Sequence, residues 1–246
     1  MVTQLPVACV AFALIGCGRF GFTPYAVGPT DGTTGADGVV GMIPGCEVPS
    51  AGGVACYSFE GNGLDSVGGD NATTTAVTYG TGRVGQAVQL GASSMIVAAN
   101  KPTIHLTTAG TISAWILVDS LPATGARSVV LDTNSYGMAV LPTGDIECFY
   151  TGTDHTFAAA ITPGGWTHVA CAYDGSAVTL WKDGAVVQSQ ADSGPVLNSV
   201  SGLQIGSNIP DVNHPNADLF IGMLDEVGIW KVALTTAEVR AAAGSC

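Results

Sequence analysis

Few folds can accommodate the stretch Gly164–Gly184, which reads Gly-Gly-Trp-Thr-His-Val-Ala-Cys-Ala-Tyr-Asp-Gly-Ser-Ala-Val-Thr-Leu-Trp-Lys-Asp-Gly. From Trp166 to Tyr173 two side-chain sets alternate, Thr167, Val169, Cys171 and Tyr173 on one side and Trp166, His168, Ala170 and Ala172 on the other. That is the period of a strand. Asp174-Gly175 supplies residues that tolerate positive φ in a tight hairpin, Val178 to Lys182 forms the return strand, and Asp183-Gly184 turns the chain again. The composition agrees: 34 glycines with only 11% charged residues suit many short strands joined by tight turns better than salt-bridged helices.

Other segments read the same way. Val54–Glu60, Gly85–Leu90, Thr111–Val118, Ser128–Leu131, Tyr136–Val140, Asp145–Tyr150, Gly202–Gly206 and Phe220–Trp230 are short runs of strand-forming residues fenced by Gly, Pro, Asp or Asn. One helix is expected, Thr236 to Ala243. Thr235 and Glu238 before and within it form a capping box, the hydroxyl and the carboxylate each accepting a free backbone N–H of the first turn.

Trp166-Thr167-His168-Val169-Ala170, Tyr173-Asp174-Gly175 and Trp181-Lys182-Asp183-Gly184 together resemble the signature of the laminin-G-like, concanavalin A-like jelly roll. The closing run Phe220-Ile221-Gly222-Met223-Leu224-Asp225-Glu226-Val227-Gly228-Ile229-Trp230 is similar to the last strand of that family, and the resemblance extends from about Val54 to Ala243. It implies an all-β fold, a two-sheet antiparallel jelly-roll sandwich with one short C-terminal helix. Such a fold hosts unrelated tasks, so function must be argued from the site.

The first fifty residues lie outside that resemblance. Leu5 to Gly16 is an apolar run of signal-peptide length, too short to span a bilayer. Leu14-Ile15-Gly16-Cys17 resembles a bacterial lipobox, which makes Cys17 the expected lipid-bearing N-terminus; an ordinary secretory signal is the alternative. The expected organisation is therefore a signal peptide over 1–16, a Gly/Thr/Asp/Pro-rich tether over 17–46 that buries too little to order itself, and the jelly roll over 47–246. The destination would be the bacterial cell envelope or surface.

Seven cysteines fit an exported chain. Cys148 and Cys171 each sit mid-strand beside core-type residues and are the favoured pair. Cys246 could reach Cys46 or Cys56 if the domain ends meet in space, and Cys46 with Cys246 is the pairing expected.

The family resemblance implies a structural calcium where the first loop meets the final strand. Its expected ligands are Asp65, Asn71 and Asp225 with carbonyls of the 64–71 loop, since calcium takes six to eight oxygens. Asp225 and Glu226, being adjacent in a strand, should point to opposite faces. Glycoside hydrolysis needs a pair of carboxyl groups flanking the bond to be cut. Asp145 and Glu147 are the only alternating acids in an expected strand, read as a turn acid and a solvent-facing strand acid, and no catalytic pair is expected. The four histidines lack metal-binding spacing, no Gly-x-Ser-x-Gly turn is present, and the glycine-rich runs do not lead into helices.

A formal charge of −12 with only 7 Lys and Arg excludes a nucleic-acid partner. For a ligand the loops are the natural place to look. Asp132, Asn134 and Tyr136 in one, and Asp211, Asn213 and His214 in another, combine directional hydrogen bonding with an aromatic ring, as sugar sites do. Trp115, Trp166, Trp181 and Trp230 are expected to pack the sheets. The expected function is a non-catalytic, surface-tethered binding or adhesion module for a glycan or a cell-surface protein, carbohydrate being the ligand class that the family suggests; the alternatives are a glycoside-active enzyme or a structural envelope component.

Overall fold

The structure is a computed structural model that describes residues 45–47, 52–132, 135–197, 202–208 and 218–244, all within one compact unit, Gly41–Ser245. In chain order the strands are β1 (Gly53–Tyr57), β2 (Thr73–Thr75), β3 (Thr78–Thr81), β4 (Gln86–Leu90), β5 (Met95–Ala98), β6 (Gly110–Val118), β7 (Arg127–Asp132), β8 (Tyr136–Val140), β9 (Ile146–Tyr150), β10 (Thr153–Phe157), β11 (Trp166–Tyr173), β12 (Ala177–Lys182), β13 (Ala185–Ala191), β14 (Leu203–Ile205) and β15 (Gly222–Trp230). One helix, α1 (Thr236–Ala242), follows. Every strand pairing is antiparallel.

One sheet runs β13-β12-β11-β6-β15-β4-β3 with β1 added beside β15, and the other runs β10-β9-β8-β7-β14-β5-β2. The hairpin expected from Gly164–Gly184 is β11–β12, and Asp183 and Gly184, at φ 50° and 77°, turn β12 into β13. Val169, Cys171 and Tyr173 of β11 face the second sheet in the main core, while Ala170 and Ala172 face the other way. That alternation makes the structure a sandwich, since the faces buried between the sheets supply the largest apolar area removed from water.

The disulfide Cys148–Cys171 joins β9 of one sheet to β11 of the other through the core. Beside it the Tyr150 and Tyr173 rings stack at 5.6 Å, and the Tyr150 hydroxyl donates to the Cys171 carbonyl at 2.9 Å. At the sandwich edge, His155 Nε2 meets Asp192 at 3.1 Å, Thr151 donates to both Asp192 oxygens, and Gln190 donates to the Thr156 carbonyl at 2.7 Å. These bonds tie the end strands β10 and β13 together across the seam.

A second apolar cluster covers the outside of the first sheet, where Trp181, Trp230, Ala170 and Ala172 lie under Leu234 and Val239 of the C-terminal segment. Both halves of the Thr235/Glu238 capping box are formed. Trp115 and His168 lie on the same outer face, with rings edge to face at 5.4 Å and the Arg83 guanidinium over Trp115 at 4.6 Å. Thus Trp115, Trp181 and Trp230 are packed, as expected of them.

Cys46 is bonded to Cys56, not to Cys246 as expected, and Cys246 lies outside the described residues. The Cys46 N–H donates to Glu226 at 2.8 Å and the Gly45 N–H to the Ala242 carbonyl at 3.3 Å, so Cys46 is held against the end of the folded unit. The expectation that Asp225 and Glu226 point to opposite faces of a regular strand is also corrected. The β15–β6 register breaks between Asp225 and Gly228, and Glu226 sits at φ 50°. At this bulge β15 changes partner, from β4 at Gly222–Leu224 to β1 at Val227–Trp230.

Candidate functional site

A groove of about 290 Å³ opens on the outer face of the second sheet. In β9 the residues Ile146, Cys148 and Tyr150 are buried inward, which leaves Glu147 and Phe149 facing out. The register extends this face into two parallel rows. One row runs Ser128, Ala139, Glu147, Thr156 across β7, β8, β9 and β10, and the next runs Leu131, Gly137, Phe149, Asp154. Small residues at Gly137 and Ala139 set a low floor between Leu131 and the Phe149 ring. A Cβ on Gly137 would meet Leu131 Cδ1 at 2.8 Å and the Val130 carbonyl at 3.2 Å, so any larger residue displaces the wall.

Asn208 and Asp218 complete the rim. Asp218 is held there because its carbonyl accepts the Ser128 N–H at 3.1 Å, while Arg127 Nη1 donates to the next carbonyl, Leu219, at 2.9 Å. Glu147, Asp154 and Asp218 therefore share one groove. Burial raises the Glu147 carboxyl above its ordinary range, and the charges of Asp154 and Asp218 raise it further. Glu147, expected as a solitary solvent-facing strand acid, thus has two carboxylates for neighbours. Asp145 stays in its turn, accepting from Thr143 at 2.7 Å.

The loop residues expected to bind ligand fare differently. Asp132 and Tyr136 are both 0% exposed, because β7 continues to Asp132 and β8 begins at Tyr136, whose hydroxyl donates to the Ile104 carbonyl at 2.9 Å. Neither presents a surface to a sugar. Asn134, Asp211, Asn213, His214 and Cys17 lie outside the described residues.

Asp65 and Asn71 have another task than holding an ion. Asp65 Oδ1 accepts the N–H groups of Cys56, Val67 and Gly68 at 2.9 to 3.0 Å, Oδ2 accepts that of Asp70 at 3.0 Å, and Asn71 Oδ1 accepts the Asp65 N–H at 3.0 Å. The pair folds the 64–71 loop onto β1 with its oxygens already committed to amides. Asp225 differs. Its Oδ2 accepts from Arg83 and Val84 at 2.8 and 3.0 Å, whereas Oδ1 is buried with no hydrogen-bond partner. Burial pushes this carboxyl up to about 6, against the opposing pull of the Val84 and Arg83 amides. A buried carboxylate oxygen without a donor fits a cation; the oxygens of Asp65 and Asn71 do not. Among the described residues, the one cluster of three His, Cys, Asp or Glu ligand atoms is Cys46, Cys56 and Glu226, and both sulfurs are in the disulfide.

A two-sheet antiparallel sandwich with a groove on the outer face of one sheet defines the class, an all-β jelly roll. Residues 90–240 match the family model described as the concanavalin A-like lectin/glucanases superfamily, and the chain belongs to that family. A search of curated proteins finds no match. Among solved structures, domain 4 of an extracellular arabinanase from Geobacillus stearothermophilus, in complex with arabinotriose, is similar with TM-score 0.65 and 22% identity, covering 79% of this chain and 100% of that one. Botulinum neurotoxin type C, from a structure concerned with ganglioside-dependent cell entry, matches with TM-score 0.60 and 12% identity over 78% of this chain and 51% of that one. Trypanosoma rangeli sialidase matches with TM-score 0.60 and 17% identity over 80% of this chain and 33% of that one. The chain thus spans half of the toxin chain and a third of the sialidase. At these identities the likeness shows the fold alone.

Proposed function

We propose that the chain is an exported glycan-binding module whose ligand lies in the groove floored by Gly137 and Ala139. The observation that carries this reading is the placement of Phe149 between Glu147 and Asp154 on one open face, with Asn208 on the rim. An aromatic ring takes the C–H face of a sugar while carboxylates and an amide direct bonds to its hydroxyls. The arabinotriose bound by the arabinanase domain supports that choice of ligand class. Two disulfides, with all four cysteines buried, suit an oxidising location outside the cytoplasm. Attachment through lipid on Cys17 is part of the same proposal, and a Cys17→Ala chain released from the membrane fraction would support it.

A glycan array with wild type and Phe149→Ala tests the binding reading. It predicts retention of at least one glycan class by wild type and its loss in a variant with unchanged melting. Wild-type binding that ignores Phe149→Ala would place the ligand elsewhere.

A second reading, glycoside hydrolysis, is favoured by the shared position of Glu147, Asp154 and Asp218. Glu147 and Asp154 are diagonal neighbours across β9 and β10, with backbone positions about 7 to 8 Å apart, close enough for two carboxyl groups to flank one bond. Its raised protonation range makes Glu147 the group to donate a proton to a leaving oxygen. Sugar release by wild type and none by Glu147→Gln would convert the binder into an enzyme.

A calcium ion at Asp225 is proposed on the strength of its unpartnered Oδ1. Calcium at millimolar concentration should raise the melting temperature of wild type and leave that of Asp225→Asn unmoved; no rise in wild type removes the ion.

A further inference from the structure

The groove carries charge of one sign. Its walls contain three carboxylates, Glu147, Asp154 and Asp218, and no Lys or Arg among the described residues. Arg127, next to Ser128 in the chain, is turned to the Leu219 carbonyl instead. A neutral sugar asks for donors and acceptors in mixture, and a single carboxylate would serve it. Three in one small cavity repel each other, and that repulsion adds to the larger effect of burial in raising the Glu147 carboxyl. That arrangement is relieved by a cation.

A second, independent observation indicates what kind of molecule brings the cation. Ser128 lies in the groove wall in the same row as Glu147, is 4% exposed, and its hydroxyl has no hydrogen-bond partner among the described residues. A hydroxyl with no protein partner on the wall of a groove is left to bond a polar ligand group. The half-buried Phe149 ring lies in the adjacent row. A metal ion would use the carboxylates and leave the ring and the hydroxyl idle. An organic ammonium uses all three kinds of group, with charge-assisted bonds to the carboxylates, a ring face for C–H or cationic contact, and a hydroxyl for a neighbouring O–H.

From this geometry we infer that the groove selects glycans carrying a free amino group, a protonated 2-amino sugar, over their N-acetylated or neutral counterparts. The inference rests on the glycan-binding reading of the same groove and adds the charge of the preferred ligand. The ammonium would sit among Glu147, Asp154 and Asp218, with the ring of the sugar against Phe149 and a hydroxyl at Ser128.

The test uses the full chain with its disulfides formed and an array of matched triplets, 2-amino, 2-acetamido and 2-hydroxy, built on glucose, galactose and mannose oligosaccharides. In at least one series the 2-amino member should bind about tenfold more tightly than its two partners, the scale of one charge-assisted hydrogen bond. In Glu147→Gln and in Asp154→Asn, the latter an exposed position where folding is not at risk, the ratio should fall towards one whatever the absolute affinity. Equal binding of all three members, lost in Phe149→Ala, overturns the inference and leaves the glycan reading standing. A preference for amines that survives both carboxyl substitutions belongs to the −12 surface as a whole and also overturns it. No binding by any member removes both.

Discussion

Acid should unfold this domain partly through one side chain. His168 is 1% exposed, its Nε2 lies 3.2 Å from Ser113 Oγ, and its Nδ1 has no partner. Burial pushes its pKa down from 6.5 to about 3, so the native ring stays neutral in acid that protonates the unfolded chain. Between about pH 6.5 and 3 the unfolded state binds the extra proton. The stability held by the neutral ring is therefore complete above pH 6.5 and drains away as pH falls. At about 1.4 kcal/mol per pH unit the full window is worth about 5 kcal/mol, a large share of the 5 to 15 kcal/mol typical of a domain. Burial pushes Asp225 up to about 6 and Glu226 to about 7, which gives the opposite slope: they stabilise in acid and lose that contribution as pH rises towards 7. The wild-type profile is thus a sum, and a comparison isolates the histidine. Urea unfolding, followed by tryptophan fluorescence at several pH values from about 7 to 4, should be run on wild type and on Ser113→Ala/His168→Leu, which removes the ring and its hydroxyl partner together. The difference in stability should shift in favour of the variant by about 1.4 kcal/mol for each unit of acidification. Parallel profiles would refute the reasoning, whatever the absolute stabilities.

Other perturbations give sharp outcomes. Replacing Cys148 and Cys171 by Ala opens a loop closed over a separation of 23 residues, for which chain entropy gives about 3 kcal/mol; a loss below about 1 kcal/mol in urea unfolding would mean the covalent link contributes little. Thr235→Ala removes one half of the capping box and should cost about 1 kcal/mol by the same measurement. Asp70 is held below the ordinary carboxylate range: burial alone would raise it, but hydrogen bonds from Lys101 and Thr103 and the Lys101 charge outweigh burial. Its stabilising contribution is present above about pH 4 and lost below it, so in Lys101→Met unfolding below that pH should change less steeply than in wild type.

The fold was legible where faces alternate and hidden where they do not. Thr111–Val118, Asp145–Tyr150 and Trp166–Lys182 announce their strands because one face must enter the core. By contrast β13, Ala-Val-Val-Gln-Ser-Gln-Ala, is an edge strand half in solvent, and its sequence carries no period to read. β10, Thr-Asp-His-Thr-Phe, was missed as well, although His155 and Phe157 do turn inward. With β10 went Asp154, and with it the groove. Ser128, Glu147, Asp154 and Asp218 are distant in the chain and meet only through strand register, a product of tertiary pairing that no local pattern encodes. Asp132 and Tyr136 misled for the converse reason: a polar run that reads as a loop is the inward end of two strands.

The inter-sheet disulfide has a practical consequence for anyone measuring recognition by this domain. Cys148 stands between Glu147 and Phe149, so the strand carrying both proposed ligand contacts is riveted from behind to the opposite sheet. Protein produced in a reducing compartment would carry the same two residues on an unbraced strand, with weaker capture even when the sandwich itself has assembled. Oxidation state is therefore a variable to fix before any affinity is compared.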